Sequence, residues 1–275
     1  MSRLVQVHPP VDAPPGAWTE HPGHLDARPP APDGLYALRA ETGDEPRACV
    51  SPLLRGLNML RDARRDGLPR LWSGQPWTRE FYLHFHRLVR DLPAPRLLVL
   101  SPPLRADCLG LEEFLILYRP FEAELARRRP GVRLLLENRC AETPDAPQPL
   151  VARAPDLVAL GRLLDRNGLG LRLVLNLPRL FLAALGHEQP TARATEEILT
   201  PLRHCAPFVA ALRPFPDPEA FFGSRALAHA ALVRLREILD DGRRRFLLPP
   251  DDPDGFPGLA ALRRAGFVPA LGDED

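Results

Sequence analysis

The sequence predicts a single (β/α)8 TIM barrel, and two observations carry that prediction. Five short apolar runs begin at positions 96, 132, 171, 208 and 245, at intervals of 36 to 39 residues. Each run is apolar almost throughout, which is typical of parallel strands covered on both faces. The segments between the runs have the length of helices that cross back over a sheet, so the pattern indicates serial βα construction. A chain of 275 residues is of ordinary length for one such barrel.

The five runs are the strands of the repeating part. Their bounds are Arg96–Ser101, Val132–Glu137, Leu171–Asn176, Phe208–Arg213 and Arg245–Leu248.

Local signals place the helices between these strands. Asp156–Arg166 has its leucines on one face and is followed by Gly168, a residue that commonly ends a helix. Ser224 is suited to cap the N-terminus of another helix. In the helix that begins at Leu111 we expect Pro120 to cause a kink or a break, since proline removes a helical hydrogen bond.

The first ninety residues are less regular. Leu4–His8, Leu35–Leu38 and Ala48–Ser51 are candidate strands that bring the number to eight. The gap between the second and third is too short for a crossover helix, so Arg70–Ser73 is an alternative. Pro9–Pro32 is rich in proline, glycine and histidine, and it is typical of a long loop or an irregular replacement for the first helix.

We expect one domain over residues 1–275, with an irregular Pro-rich segment at 1–34 and a frayed acidic tail at 269–275. The first residues lack the cationic and apolar regions of a signal peptide. No apolar run is long enough to span a bilayer. Together with four scattered cysteines that form no CxxC motif, these features favour a cytoplasmic protein without membrane contact.

Charge and basic-residue type exclude several functions. The formal net charge is +1, so no overall field attracts nucleic acid, and we find no strong nucleic-acid signal. All 36 basic residues are arginine, because the sequence contains no lysine. Schiff-base, phosphate-binding-loop and Ser-Lys chemistry are therefore excluded.

Candidate functional residues lie where the predicted strands end, since the carboxyl ends of barrel strands form the active face. Two of the four asparagines in the sequence, Asn138 and Asn176, fall at neighbouring strand ends, and Glu137 precedes the first of them. These amides either bind a substrate or cap the following turns. Arg213 ends the next strand, where it is either a clamp for an anion or the partner of a salt bridge to Glu137 or a nearby aspartate. Ser101 completes the set of candidates, at the end of the strand that precedes the Glu137 strand.

The stretches Arg133–Asn138 (RLLLEN) and Leu171–Glu188 (LRLVLNLPRLFLAALGHE) resemble the xylose-isomerase-like barrel superfamily. That superfamily includes sugar-phosphate isomerases and epimerases and AP-endonuclease-type nucleases. The second stretch is also similar to the branch of multinuclear iron enzymes that modify peptides. The resemblance implies a barrel in which Glu137 is a metal ligand.

The sequence departs from the ligand pattern that the resemblance implies. Asn176 stands where the superfamily commonly has aspartate, Arg213 lies where a histidine is common, and Leu248 is followed by prolines where glutamate is expected. One carboxylate with neutral amides is a poor site for a divalent ion. We therefore expect no cofactor and disfavour a divalent metal, for which the candidate ligands are His8, Glu137 and Asp251.

Three functional hypotheses remain. The first, which we favour, is a barrel that has lost metal catalysis and serves as a non-catalytic binding or partner subunit for a small anionic ligand or a protein. The second is an isomerase, epimerase or lyase acting on a small phosphorylated or carboxylated substrate. In it Glu137 is the general base, while Arg213 and Arg179 bind the substrate. The third is a metal-dependent nuclease or peptide-modifying enzyme with unrecognised ligands.

Overall fold

The computed structural model describes residues 3–8, 18–22, 36–39, 72, 95–141, 143, 145–249 and 257–269. Within these ranges nine strands lie in one sheet, and every pairing between them is parallel. They are β1 (Arg3–His8), β2 (Trp18–Pro22), β3 (Tyr36–Arg39), β4 (Leu97–Leu100), β5 (Arg133–Glu137), β6 (Arg172–Asn176), β7 (Val209–Arg213), β8 (Arg244–Leu247) and β9 (Val268–Pro269).

The first eight strands close into a barrel. Strands β2 to β8 pair in chain order, and β1 pairs with both β8 and β2. The short strand β9 pairs with β1 as well. The predicted (β/α)8 barrel is thus confirmed by the strand pairing itself.

Helices connect the strands of the repeating part. They are α1 (Leu111–Arg128), α2 (Ala154–Asn167), α3 (Leu177–Leu185), α4 (Ala192–Leu199), α5 (Pro218–Phe222), α6 (Arg225–Ile238) and α7 (Pro257–Arg264), with two 3-10 helices at Thr200–His204 and Ala206–Phe208. Among these residues, no helix is long and apolar enough to cross a membrane.

Alternation along the strands divides the apolar residues into two layers, because successive side chains point to opposite faces. In β4, Leu98 and Leu100 belong to the large core between the strands and the helices. Leu97 and Val99 belong to a second cluster, which fills the barrel interior. The other buried members of that interior cluster are Val7, Leu135, Val174, Ala211 and Leu248.

The repeating part agrees with the sequence-based expectations to within one or two residues. Helix α2 covers the predicted Asp156–Arg166, and Gly168 ends it with a left-handed backbone (φ 61°). The Ser224 hydroxyl accepts a hydrogen bond from the backbone N–H of Leu227 (3.4 Å), so Ser224 caps α6 as predicted.

Pro120 does not split its helix, contrary to one of the two expected effects. Helix α1 runs without interruption through Pro120 for 18 residues. Both Pro120 and Ile116, whose carbonyl loses its helical donor there, are exposed. Water can therefore satisfy that carbonyl, and the helix continues.

The strand assignment in the first third was partly wrong. Trp18–Pro22, which was predicted to lie in a long loop, forms β2 between β1 and β3. Its mixed sequence does not indicate a strand. The segment forms a strand because it pairs with two neighbouring strands, not because of local preference. The candidate at Leu35–Leu38 is confirmed as β3, whereas Ala48–Ser51 lies outside the described residues, as does Arg70–Ser73 apart from Trp72.

Candidate active site at the carboxyl ends of β5, β6 and β7

Three polar side chains close the barrel interior at one end. Glu137, Asn176 and Arg213 are the last residues of β5, β6 and β7, which are consecutive in the sheet. Each follows by two positions an interior residue of its strand, so the two-residue period also directs these side chains inward. All three are at most 1% exposed. The predicted convergence of these residues is therefore present in the fold.

Glu137 and Arg213 form a two-point ion pair inside the barrel. Arg213 Nε donates to Glu137 Oε1 (2.8 Å), and Arg213 Nη2 donates to Oε2 (3.3 Å). Asn176 Nδ2 also donates to Oε1 (2.6 Å), and Arg213 Nη1 donates to the carbonyl of Pro249. Both carboxylate oxygens are thus engaged within the chain. Of the two interpretations of Arg213, an anion clamp or a salt bridge, the structure contains the salt bridge to Glu137.

These contacts keep Glu137 ionised. Burial by itself would raise the pKa of Glu137, but the charges of Arg213 and Arg139 and the hydrogen bonds from Arg213 and Asn176 outweigh burial. The pKa of this carboxyl therefore lies well below its usual range. A general base working near neutral pH needs a pKa shifted upward, so the environment of Glu137 is opposite to the one that role requires.

The two asparagines make structural hydrogen bonds. Asn138 Nδ2 donates to the carbonyl of Asn176 (3.1 Å), and the backbone N–H of Asn176 donates to Asn138 Oδ1 (2.8 Å). The Asn138 side chain thereby continues the pairing of β5 with β6 beyond the end of β5. Asn176 Oδ1 in turn accepts from the backbone N–H of Arg179 (3.2 Å) and caps α3. These bonds match the capping alternative.

The other predicted site residues lie around this group. Ser101 is buried directly after β4, and its carbonyl accepts a hydrogen bond from Trp72 Nε1 (2.9 Å). Arg179 is half-buried in the first turn of α3. His8 ends β1, but its side chain and Asp251 lie outside the described part of the chain, so the structure leaves their predicted metal role as a prediction.

An aromatic cluster fixes the backbone after β7. Phe215, two residues beyond Arg213, is 2% exposed and packs on Phe181 of α3 and Phe222 of α5, with ring centroids 5.6 Å and 5.2 Å away. Phe221 completes the cluster at 4.5 Å from the Phe215 ring. This packing holds the end of β7, and with it the origin of the Arg213 side chain.

Arg139 is the residue at this site that the sequence reasoning missed. Its backbone N–H donates to the carbonyl of Val151 (3.1 Å), and its side chain is half-buried, close enough to lower the pKa of Glu137. Its Nε atom is fully buried and has no hydrogen-bond partner among the described residues. The available signal was its position directly after Glu137-Asn138 at a strand end.

The residues at these strand ends do not fit a divalent metal ion. They supply one carboxylate, two amides and two guanidinium groups, and both oxygens of the carboxylate already accept hydrogen bonds from Arg213. Cationic groups repel a metal, and hard cations require several oxygen ligands. Within the described residues there is also no group of three or more His, Cys, Asp or Glu side chains that would hold one.

Comparisons with known proteins find likeness in structure. No protein-family model matches the chain, and no curated protein matches it. The chain is similar to a xylose isomerase domain protein from Alicyclobacillus acidocaldarius, with 15% identity over 96% of each chain and a TM-score of 0.42. It is also similar to a D-psicose 3-epimerase from Clostridium cellulolyticum H10 (12% identity, 89% of this chain and 78% of the other, TM-score 0.40). An HMG-CoA lyase from Brucella melitensis gives 12% identity over 87% of this chain and 69% of the other, with a TM-score of 0.41.

The barrel of this chain is defined by the closure of its own eight parallel strands.

Proposed function

We propose that this chain is a divergent xylose-isomerase-like barrel that has lost most metal ligands and acts as a non-catalytic binding or partner subunit. The observation that carries the proposal is the ion pair of Glu137, whose two oxygens accept from Arg213 at 2.8 Å and 3.3 Å. A carboxylate held in this way has neither a free oxygen for a metal nor the raised pKa of a base.

The guanidinium group of Arg213 connects several strand ends, as a metal ion bound at the end of a barrel does. A metal at the end of a barrel joins ligands from several strands, and Arg213 likewise joins β7 to Glu137 of β5 and to the carbonyl of Pro249 after β8. Asn176 adds the link from β6. These hydrogen bonds hold the strand ends together, and in this proposal no catalytic group lies between them.

We place this role in the cytoplasm. In the described residues, Cys108, Cys140 and Cys205 are buried thiols rather than disulfides, which is compatible with a reducing compartment. Burial raises the pKa of Cys205 to about 12, so this thiol is not a nucleophile at neutral pH.

Metal analysis of the purified protein tests the proposal. The protein is produced in cells grown with added iron, manganese and zinc and is purified without chelators. Its metal content per chain is then measured by inductively coupled plasma mass spectrometry. We expect far less than one metal ion per chain. Stoichiometric iron, manganese or zinc that is lost in a Glu137→Gln variant would overturn the proposal in favour of the metal-dependent enzyme.

A second measurement addresses the general-base alternative. Proton exchange at carbon, followed by NMR in deuterated water with small phosphorylated and carboxylated sugars, detects isomerase, epimerase or lyase activity without knowledge of the product. We expect no exchange above the buffer rate. Exchange that Glu137→Gln abolishes, while the variant remains folded, would support the enzyme instead.

A further inference from the structure

Arg139 carries a buried hydrogen-bond donor that nothing in the described part of the chain uses. Its Nε atom is inaccessible to solvent and has no acceptor there, although the side chain as a whole is only half-buried. A buried donor without an acceptor costs about 1–3 kcal/mol. Such a group in a folded protein calls for an explanation, and an ion that binds there is one of the ordinary ones.

The neighbouring polar groups already have their partners. Glu137 is bound by Arg213 and Asn176, and the amide of Asn138 is used by the backbone of Asn176. Among Glu137, Asn138, Asn176 and Arg139, it is Arg139 whose side chain is left to recognise something from outside.

The net charge at this end of the barrel also favours an anion as the ligand of Arg139. The negative charge of Glu137 is balanced by the positive charge of Arg213 in direct contact with it. Arg139 adds a second positive charge close to Glu137, so the three side chains together carry a net charge of +1. Guanidinium groups match the geometry of carboxylate and phosphate, which they bind through two parallel hydrogen bonds.

The position of Arg139 is that of a binding residue in this fold. It follows β5 at the carboxyl end of the barrel, where TIM barrels hold their ligands. Its backbone is tied to Val151, three residues before α2 begins. Asp156 accepts hydrogen bonds from the backbone N–H groups of Ala152 and Arg153 just before α2 (3.1 Å and 2.9 Å), whereas the Nε donor of Arg139 has no acceptor among the described residues.

We propose that Arg139 binds an oxyanion, a carboxylate or a phosphate of the ligand, at the mouth of the barrel. Arg213, which the sequence suggested for this task, holds Glu137 instead. The proposal rests on the proposed binding role and names the ligand class and the residue that recognises it.

Anion titration of the intact chain tests this assignment. Inorganic phosphate and malonate serve as probes, with affinity measured by calorimetry for the wild type, Arg139→Met and Arg139→Lys. Arg193→Met, which removes an exposed arginine (89% exposed) on α4, is the matched control for the loss of one positive charge. We expect Arg139→Met to weaken binding of the preferred anion by about tenfold or more, Arg139→Lys by less, and the control not at all.

Thermal unfolding separates a binding role from a structural one. If Arg139 is kept for a ligand, Arg139→Met without anion melts within about 2–4 °C of the wild type, because removal of an unpaired buried donor offsets loss of the favourable charge interaction with Glu137. A melting temperature lowered by clearly more than this, unchanged affinity in Arg139→Met, or failure of the wild type to bind either probe at millimolar concentration would overturn the proposal. Metal content and proton exchange test the non-catalytic role separately, so a failure of the Arg139 assignment is distinguishable from a failure of that role.

Discussion

Arg213 reaches past β6 to hold both carboxylate oxygens of Glu137, in a pair whose side chains are each 1% exposed. Exposed ion pairs contribute little to stability, because water competes for both partners. A fully buried pair differs in that removing one partner leaves the other charged and without compensation. The effect of a substitution here therefore depends on what happens to the second residue.

Replacing Arg213 alone should destabilise the fold strongly. In Arg213→Met the carboxylate of Glu137 stays buried with Asn176 as its remaining close donor, so we expect the free energy of unfolding to fall by about 3–5 kcal/mol. Urea unfolding at neutral pH measures it. The double variant Glu137→Leu with Arg213→Met removes both charges and should be less destabilised than Arg213→Met alone. A double variant that loses the sum of the two single effects would show that the residues are not coupled.

The stability that Glu137 supplies should depend on acid pH. The pKa of Glu137 in the folded chain lies below its ordinary value, about 4.3 in an unfolded chain. Ionised Glu137 therefore stabilises the fold fully above that value, and the contribution is lost as pH falls toward the folded pKa. The difference in unfolding free energy between the wild type and Glu137→Gln should be constant from pH 8 to about 5 and decrease below about 4.

Glu197→Gln, which removes an exposed carboxylate on α4 paired with Arg193, controls for the change in net charge. A stability difference that changes between pH 5 and 8 would instead indicate a raised pKa and return Glu137 to the candidates for a general base.

Asn138 should matter through the backbone of Asn176. Asn138→Ala leaves the N–H and the carbonyl of Asn176 without their side-chain partners in a buried place, and we expect a loss of about 2–4 kcal/mol. Asn138→Asp keeps the acceptor, loses the donor and adds a charge beside Glu137, so it should be no better. Hydrogen exchange at the Asn176 amide should speed up in Asn138→Ala, whereas an unchanged rate would mean that another group replaces the bond.

The sequence was sufficient for the strands that follow an apolar pattern and insufficient for one that does not. Strands β4 to β7 contribute mainly apolar residues to the two core clusters, and their composition reflects this. Trp18–Pro22 becomes β2 through pairing with β1 and β3, an interaction between distant segments that leaves no period in the segment itself.

The same distinction applies to the site. The position of Glu137, Asn176 and Arg213 at the ends of predicted strands indicated that they meet, because the carboxyl ends of parallel strands lie at one edge of the sheet. The choice between an anion clamp and a salt bridge depended on how far Arg213 reaches across β6, which no local pattern contains. Arg139 was missed because its significance is an unused donor, and hydrogen-bond satisfaction is a property of the folded chain.

At the opposite end of the barrel, Arg245 should be a major stabilising residue. It is 1% exposed, and its guanidinium donates to the carbonyls of Val209 (3.1 Å), Leu239 (2.7 Å) and Ala206 (3.1 Å) and to Asp241 (2.8 Å). Arg245→Met deprives all four acceptors of their donor, so we expect a loss of about 3–5 kcal/mol in urea unfolding.

Arg234→Met is the matched control for Arg245. Arg234 is paired with Glu196 and Glu237, but its side chain is 35% exposed, and its removal should cost less than about 1 kcal/mol. Equal losses in the two variants would mean that burial does not set the contribution of these arginines.

If the strand ends are the remnant of a metal site, restoring the missing ligand types should restore metal affinity. Asn176→Asp combined with Arg213→His places a second carboxylate and an imidazole beside Glu137 and removes the cation that occupies both of its oxygens. Two carboxylates and a histidine suit zinc, manganese or iron far better than the native set does. We expect calorimetric titration with Zn²⁺ or Mn²⁺ to detect binding in this variant and none in the wild type. Arg213→His alone, which lacks the second carboxylate, should bind more weakly. Absence of binding in a folded double variant would indicate that these strand ends never had the geometry of a metal centre, and the Glu137–Arg213 pair would then be an original feature of the barrel.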